Sequence, residues 1–162
     1  MGIQCRVSNP IIPFLSTVQN SRDHRKICVI DGKVAFTGGV NLADEYANEI
    51  TRFGHWKDTA IMLKGDAVQS FTMLFLEMWA VNQMEPADCQ NYLTPKHVVP
   101  DPPHGYVIPY GDHPYDNENV GEEVYFHILN HSKKYVHIMT PYLILDSEMI
   151  TALTRAAKSG IE

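Results

Sequence analysis

The sequence predicts an α/β fold, a mixed sheet flanked by helices, on three observations. Apolar residues alternate on either side of Asp31-Gly32, a helical apolar stripe runs from Ala67 to Trp79, and a strand–helix–strand–helix order follows residue 104. Asp23–Ile30 reads as the first strand, with Cys28 and Ile30 on one face and Ile27 and Val29 on the other. Asp31-Gly32 is a hairpin signal, because both residue types tolerate the positive φ of a tight turn, and Lys33–Phe36 resumes the apolar pattern. Thr37-Gly38-Gly39 ends that strand, and Trp56–Leu63 is a third candidate. Asp66-x-x-Gln69 is spaced as a capping box for a helix whose apolar positions are Ala67, Val68, Phe71, Leu74, Phe75, Met78 and Trp79. This stripe is read as core packing.

Five of the ten prolines fall at Pro86, Pro95, Pro100, Pro102 and Pro103. Such a run interrupts any helix or central strand, so residues 85–104 are expected to link a unit at 1–84 to a second at 105–162. In the second unit Tyr106–Tyr110 and Lys134–Thr140 read as strands. Glu122–Ser132 and Asp146–Ser159 read as helices, the latter closed by Gly160. That order predicts a parallel sheet, and its stop at Ile161-Glu162 is expected to mark a truncated unit.

The 162 residues carry 13 Lys and Arg against 19 Asp and Glu, a net charge of −6. That balance disfavours nucleic acid held on a broad basic face, while leaving room for a small basic pocket. Cys5, Cys28 and Cys89 show no C-x-x-C spacing and are read as reduced thiols, Cys28 as buried and inert. Phe71 to Val81 is the most apolar stretch, too short to span a bilayer and broken by Glu77. The first residues lack a signal-peptide core, and Arg6 stands where a myristoylation motif has Ser or Thr. A soluble chain is expected.

His24 to Asn41 carries the chemistry. In extended chain His24 and Lys26 project from one side and Arg25 from the other. An imidazole beside an ammonium suits a phosphodiester, since the imidazole attacks phosphorus while the ammonium holds a non-bridging oxygen. Gly38-Gly39 permits close backbone approach to an anion, and Asn41 adds an amide donor. H-x-K alone is weak and occurs three times, at His24/Lys26, His55/Lys57 and His131/Lys133. Only the first is followed by Asp at the fifth position, Asp31, and then by Gly38-Gly39-x-Asn41; the others have Met62 and Ile138 there.

The complete spacing H-x-K-x4-D-x6-G-G-x-N resembles the HKD motif of the phospholipase D superfamily. NSRDHRKICVIDGKVAFTGGVNLADEY, FGHWKDTAIMLKGDAV and VIPYGDHPYDNENVGEEVYFHILNHSKKYVHIMTPYLILDSEMITAL are, together, similar to bacterial cardiolipin synthases. The resemblance implies a phospholipase D-like fold, with the first HKD half and the start of a second similar half. It implies His24 as nucleophile or its acid/base partner, Lys26, Gly39 and Asn41 on the phosphate, and Asp31 supporting the motif. It further implies phosphatidyl transfer through a phosphohistidine, with phosphatidylglycerol as both donor and acceptor, and with no cofactor or metal. A second HKD half, absent from this chain, would complete the site. The parent protein would work at the cytoplasmic face of the cell membrane. The isolated chain is expected to be inactive. Another HKD phosphodiesterase and a silent lipid-binding fragment are the competing readings.

Plainer roles stand beside these. Asp31 fits a hairpin turn, Asn41 a helix cap or turn, Gly38-Gly39 a strand terminator, and His24 a buried strand histidine. His127 and His131 have a metal-compatible spacing but no third ligand, and are read as surface residues. His55-Trp56-Lys57-Asp58 starts a strand and is read as a half-exposed strand end ahead of the alternative that it borders the pocket. Glu122 and Glu123 read as helix-dipole charges.

Overall fold

The computed structural model describes residues 2–7, 23–81, 89–93, 105–113, 117–140 and 142–162. The prolines of the expected linker, and with them most of residues 85–104, lie outside these. The chain divides into two compact units, Met1–Tyr110 and Gly111–Glu162.

The first unit is an antiparallel sheet of β1 (Ile27–Ile30), β2 (Val34–Gly38) and β3 (Ala60–Lys64), in that order. Helix α1 (Ala67–Ala80) follows β3. The β1–β2 turn has φ of 53° at Asp31 and 64° at Gly32, and Lys33 N–H donates to Ile30 O at 2.9 Å. Asp and Gly occupy the two positions where left-handed backbone is tolerated best. The register aligns Cys28 with Phe36 and Phe36 with Met62.

One sheet face packs on α1. Ala35, Val68 and Phe71 form the buried centre, with Ile27, Val29 and Leu63 around them. Alternation places those strand residues on a single face, and the helical period brings Val68 and Phe71 against them. The opposite face is open. Cys28 is exposed, Ile30 is 50% exposed and Met62 is 55% exposed. The sequence places Cys28 in a buried position; the structure corrects this, because no described element covers its face of the sheet. Phe75, expected in the core stripe, is 47% exposed and stacks on Trp79 at 5.8 Å.

β3 begins at Ala60, so Trp56 to Thr59 form irregular chain ahead of the strand. The capping box is also corrected: Asp66 has helical φ and ψ and makes no side-chain cap. The entry to α1 is instead a turn at Gly65 (φ 99°), whose carbonyl accepts from Val68 N–H.

The second unit holds α2 (Val120–His131) and α3 (Ser147–Lys158). Asp146 caps α3 by accepting from Met149 N–H at 2.7 Å, and Gly160 closes it with φ of 85°. Tyr106–Tyr110, at the end of the first unit, and Lys134–Thr140, in the second, are not assigned as the expected strands, and the only sheet among the described residues is antiparallel. One trace of parallel pairing is present. Glu162 N–H donates to Lys134 O at 3.0 Å and Val136 N–H donates to Glu162 O at 2.8 Å. That pair of slanted bonds is the pattern of a parallel ladder.

Candidate functional site

Antiparallel order gathers the start of β1, the end of β2 and the approach to β3 at one end of the sheet. His24 and Lys26 precede β1, Gly39 and Asn41 follow β2, and Asp58 precedes β3. Asp31 sits in the turn at the other end. All the residues singled out by the motif except Asp31 are thus at one end, and Asp31 is separated from His24 by the length of β1.

The segment ahead of β1 is held by its own ion pair. Arg25 Nε and Nη2 each donate to the Asp23 carboxylate at 2.9 Å, and Arg25 N–H adds a bond at 3.0 Å. Hydrogen bonding from Arg25 keeps Asp23 below the usual carboxylate range.

Lys26 Nζ lies 3.0 Å from each ring nitrogen of His24 and donates to the His24 carbonyl at 2.7 Å. A ring nitrogen that carries no proton can accept from such a donor, and an unprotonated nitrogen is also what attacks phosphorus. His24 is exposed, so the buried-histidine reading does not apply to it.

Gly38 meets β3's backbone more tightly than a residue with a Cβ would permit, while Gly39 lies against the Asp58 carboxylate. A Cβ on Gly38 would clash with the Thr59 carbonyl and the Ala60 backbone; one on Gly39 would stand 2.5 Å from Asp58 Oδ1. Gly39 N–H donates to Thr59 O at 3.2 Å. An anion does lie against this backbone, but it is the chain's own carboxylate. Asp58 also accepts from Trp56 Nε1 at 3.1 Å and from Thr59 N–H at 2.8 Å. The Trp56 bond, then the Thr59 bond, hold its carboxyl below the ordinary range, with a smaller contribution from the Lys26 charge. Asp58 is the residue that the sequence reading left as a half-exposed strand end. Its signal was the proximity of Gly-Gly to whatever strand pairs beside it. Asn41 is half-buried just beyond Gly39.

Other candidates gather no site. His127 and His131 stack at 4.1 Å, His131 Nδ1 bonding to the His127 carbonyl at 2.8 Å. No group of three or more His, Cys, Asp or Glu is arranged to hold a metal among the described residues. A cleft of about 360 Å³ in the second unit, bounded by Glu122, Tyr125, Leu145 and Met149, includes none of the motif residues. Among the described residues no helix is long and apolar enough to cross a membrane.

The chain is 36% identical over 162 residues to a cardiolipin synthase of Geobacillus kaustophilus, covering 99% of this chain and 32% of that protein. It is 38% identical over 150 residues to cardiolipin synthase 2 of Bacillus cereus, covering 93% and 29%. Over nearly its whole length the chain is similar to cardiolipin synthases. It is also 57% identical over 163 residues to an uncharacterized protein of Streptococcus mutans serotype c, covering 100% and 35%. The chain spans about a third of the length of these curated relatives. No family model matches it, and no solved structure matches it.

Proposed function

We propose that the chain contributes the first phosphate-binding half-site of a cardiolipin synthase-like phosphatidyltransferase of the phospholipase D superfamily. The observation that carries this reading is the His24–Lys26 pair, an exposed imidazole with an ammonium 3.0 Å from its nitrogens, just ahead of β1. Similarity to cardiolipin synthases over nearly the whole chain supports the choice of substrate.

In the proposed reaction a His24 nitrogen attacks the phosphorus of one phosphatidylglycerol, and the phosphorus–oxygen bond to glycerol breaks. Lys26 moves onto a non-bridging oxygen, where its charge offsets the charge that develops in the transition state. A second histidine, from the half outside this chain, protonates the departing glycerol. The hydroxyl of a second phosphatidylglycerol then loses its proton to that histidine and displaces His24, forming cardiolipin. His24 and its counterpart could exchange these roles without altering the balance. One phosphodiester replaces another, so no nucleotide is consumed. Asn41 adds a donor beside Gly39, and Asp31 acts through the hairpin turn that sets the β1–β2 register. The parent protein would act at the cytoplasmic face of the membrane.

The test offers two substrates to a full-length protein containing this chain. Phosphatidylglycerol should yield glycerol and cardiolipin, while DNA should remain intact. Cleavage of DNA without glycerol release would replace this reading by that of another HKD phosphodiesterase. The isolated chain should be inactive with both.

A further inference from the structure

The His24–Lys26 end of the sheet holds a negative charge that the motif does not explain. Asp58 stands there between two fixed donors: Trp56 Nε1–H donates to Oδ2 at 3.1 Å and Thr59 N–H to Oδ1 at 2.8 Å. Trp56 is itself locked in place. Asn48, at φ of 61°, accepts from Trp56 N–H at 2.6 Å and donates to Trp56 O at 2.9 Å. Tyr46 packs edge-on against the Trp56 ring at 5.0 Å. The carboxylate is thereby held against Gly39, where even a methyl group would stand 2.5 Å from Oδ1. Kept below the ordinary range chiefly by the Trp56 bond, it is ionised at neutral pH.

A fixed carboxylate beside a phosphate opposes binding, and it opposes some phosphates more than others. Coulomb energy is linear in charge, so a second charge on the ligand meets Asp58 a second time. A phosphodiester carries one charge, whereas a phosphomonoester carries two above its second pKa of about 6. Lys26, with Nζ 3.0 Å from the His24 ring, would by itself favour the dianion. Asp58 offsets that preference. We infer that Asp58 is a specificity-determining residue, a fixed negative charge that biases the His24–Lys26 end toward phosphodiesters and against phosphomonoesters. The inference rests on the proposed phosphatidyltransferase reading for the place of the phosphate. In that reaction every phosphate that enters is a diester, so turning dianions away leaves turnover intact. Other charges nearby do not decide the matter. Asp23 is paired with Arg25 and Glu45 with Arg52. Asp44, Glu49 and Lys57 act on a ligand alike with and without the Asp58 charge, so they cancel when the two proteins are compared.

The test is NMR titration of the His24 ring resonances of the purified chain, at about pH 8 so that a monoester is fully dianionic, and at low ionic strength. Dimethyl phosphate serves as the monoanion and methyl phosphate as the dianion. In Asp58→Asn, a near-isostere without the charge, dimethyl phosphate should bind about three-fold tighter and methyl phosphate about ten-fold tighter. The ratio of the two affinities should therefore move about three-fold toward the monoester, and added salt should shrink that movement. Trp56→Phe removes a donor but leaves the charge, so it should move the ratio far less. Circular dichroism checks that both variants stay folded. A ratio unchanged in Asp58→Asn, or moved as far by Trp56→Phe, would overturn the inference and leave the transferase reading in place. If neither ligand shifted the His24 resonances of the wild type, the phosphate site itself would be lost and both readings would fall together.

Discussion

Lys26 Nζ is bonded to His24 twice over, to the ring at 3.0 Å and to the carbonyl oxygen at 2.7 Å. The backbone bond fixes the ammonium beside the imidazole, so an incoming phosphate meets both groups at once. Inorganic phosphate should therefore shift the His24 ring resonances in NMR spectra of the chain. In Lys26→Met the same shifts should require at least about ten-fold more phosphate, the weight of one charge-assisted hydrogen bond. Equal titrations would separate Lys26 from anion binding.

Gly39 and Asp58 are in contact in a way that a methyl group abolishes. Gly39→Ala places a Cβ 2.5 Å from Asp58 Oδ1, and Gly38→Ala places one against backbone. Carboxylates rotate more readily than strands part, so Gly38→Ala should be the costlier change. About 1–3 kcal/mol is expected for overpacking of this kind, measured by urea unfolding. Asp58→Ala should recover most of the loss in Gly39→Ala and little of that in Gly38→Ala.

Acid should release Asp58 before the sheet opens. Its folded-state carboxyl is lowered from 3.8, chiefly by the Trp56 indole. A depressed carboxyl contributes stability that is present above the unfolded value and lost as pH falls through the folded one. The Trp56 indole N–H resonance should thus be constant from neutral pH down to about 4 and move only below 3.8. In Asp58→Asn that acid step should vanish.

Phe71 is 7% exposed at the centre of the α1–sheet contact, beside the fully buried Val68 and Ala35. Phe71→Ala should cost about 3–5 kcal/mol through lost burial and a residual cavity. Because α1 covers only one face of a three-stranded sheet, that loss should unfold the first unit cooperatively. Denaturant melts followed by Trp56 and Trp79 fluorescence would show it as a shifted midpoint.

Local signals were the legible part of the fold. Asp31-Gly32 marked the hairpin, Gly160 the end of α3, and the apolar period the helix that covers the sheet. Properties that depend on pairing were harder to read. Cys28 looked buried because its neighbours are apolar, yet its face is covered by no described element. Asp66 matched a capping box by residue type but adopts helical backbone, which leaves its side chain no N-cap geometry. The motif spacing singled out His24, Lys26, Gly39 and Asn41, and antiparallel pairing, which spacing does not reveal, gathers them at one end of the sheet. Asp58 reads as a strand end rather than as part of the pocket, because nothing local to it reveals that β3 approaches Gly39. The strands expected at Tyr106–Tyr110 and Lys134–Thr140 need neighbours to pair with, and apolar content alone does not supply them.

The central claim is that His24 is a phosphate-transfer residue. The most direct measurement follows glycerol release from phosphatidylglycerol by a full-length protein containing this chain, with and without His24→Ala. Loss of a group that acts at the reacting phosphorus should lower the rate by at least about a thousand-fold. Turnover unchanged by His24→Ala would contradict the account.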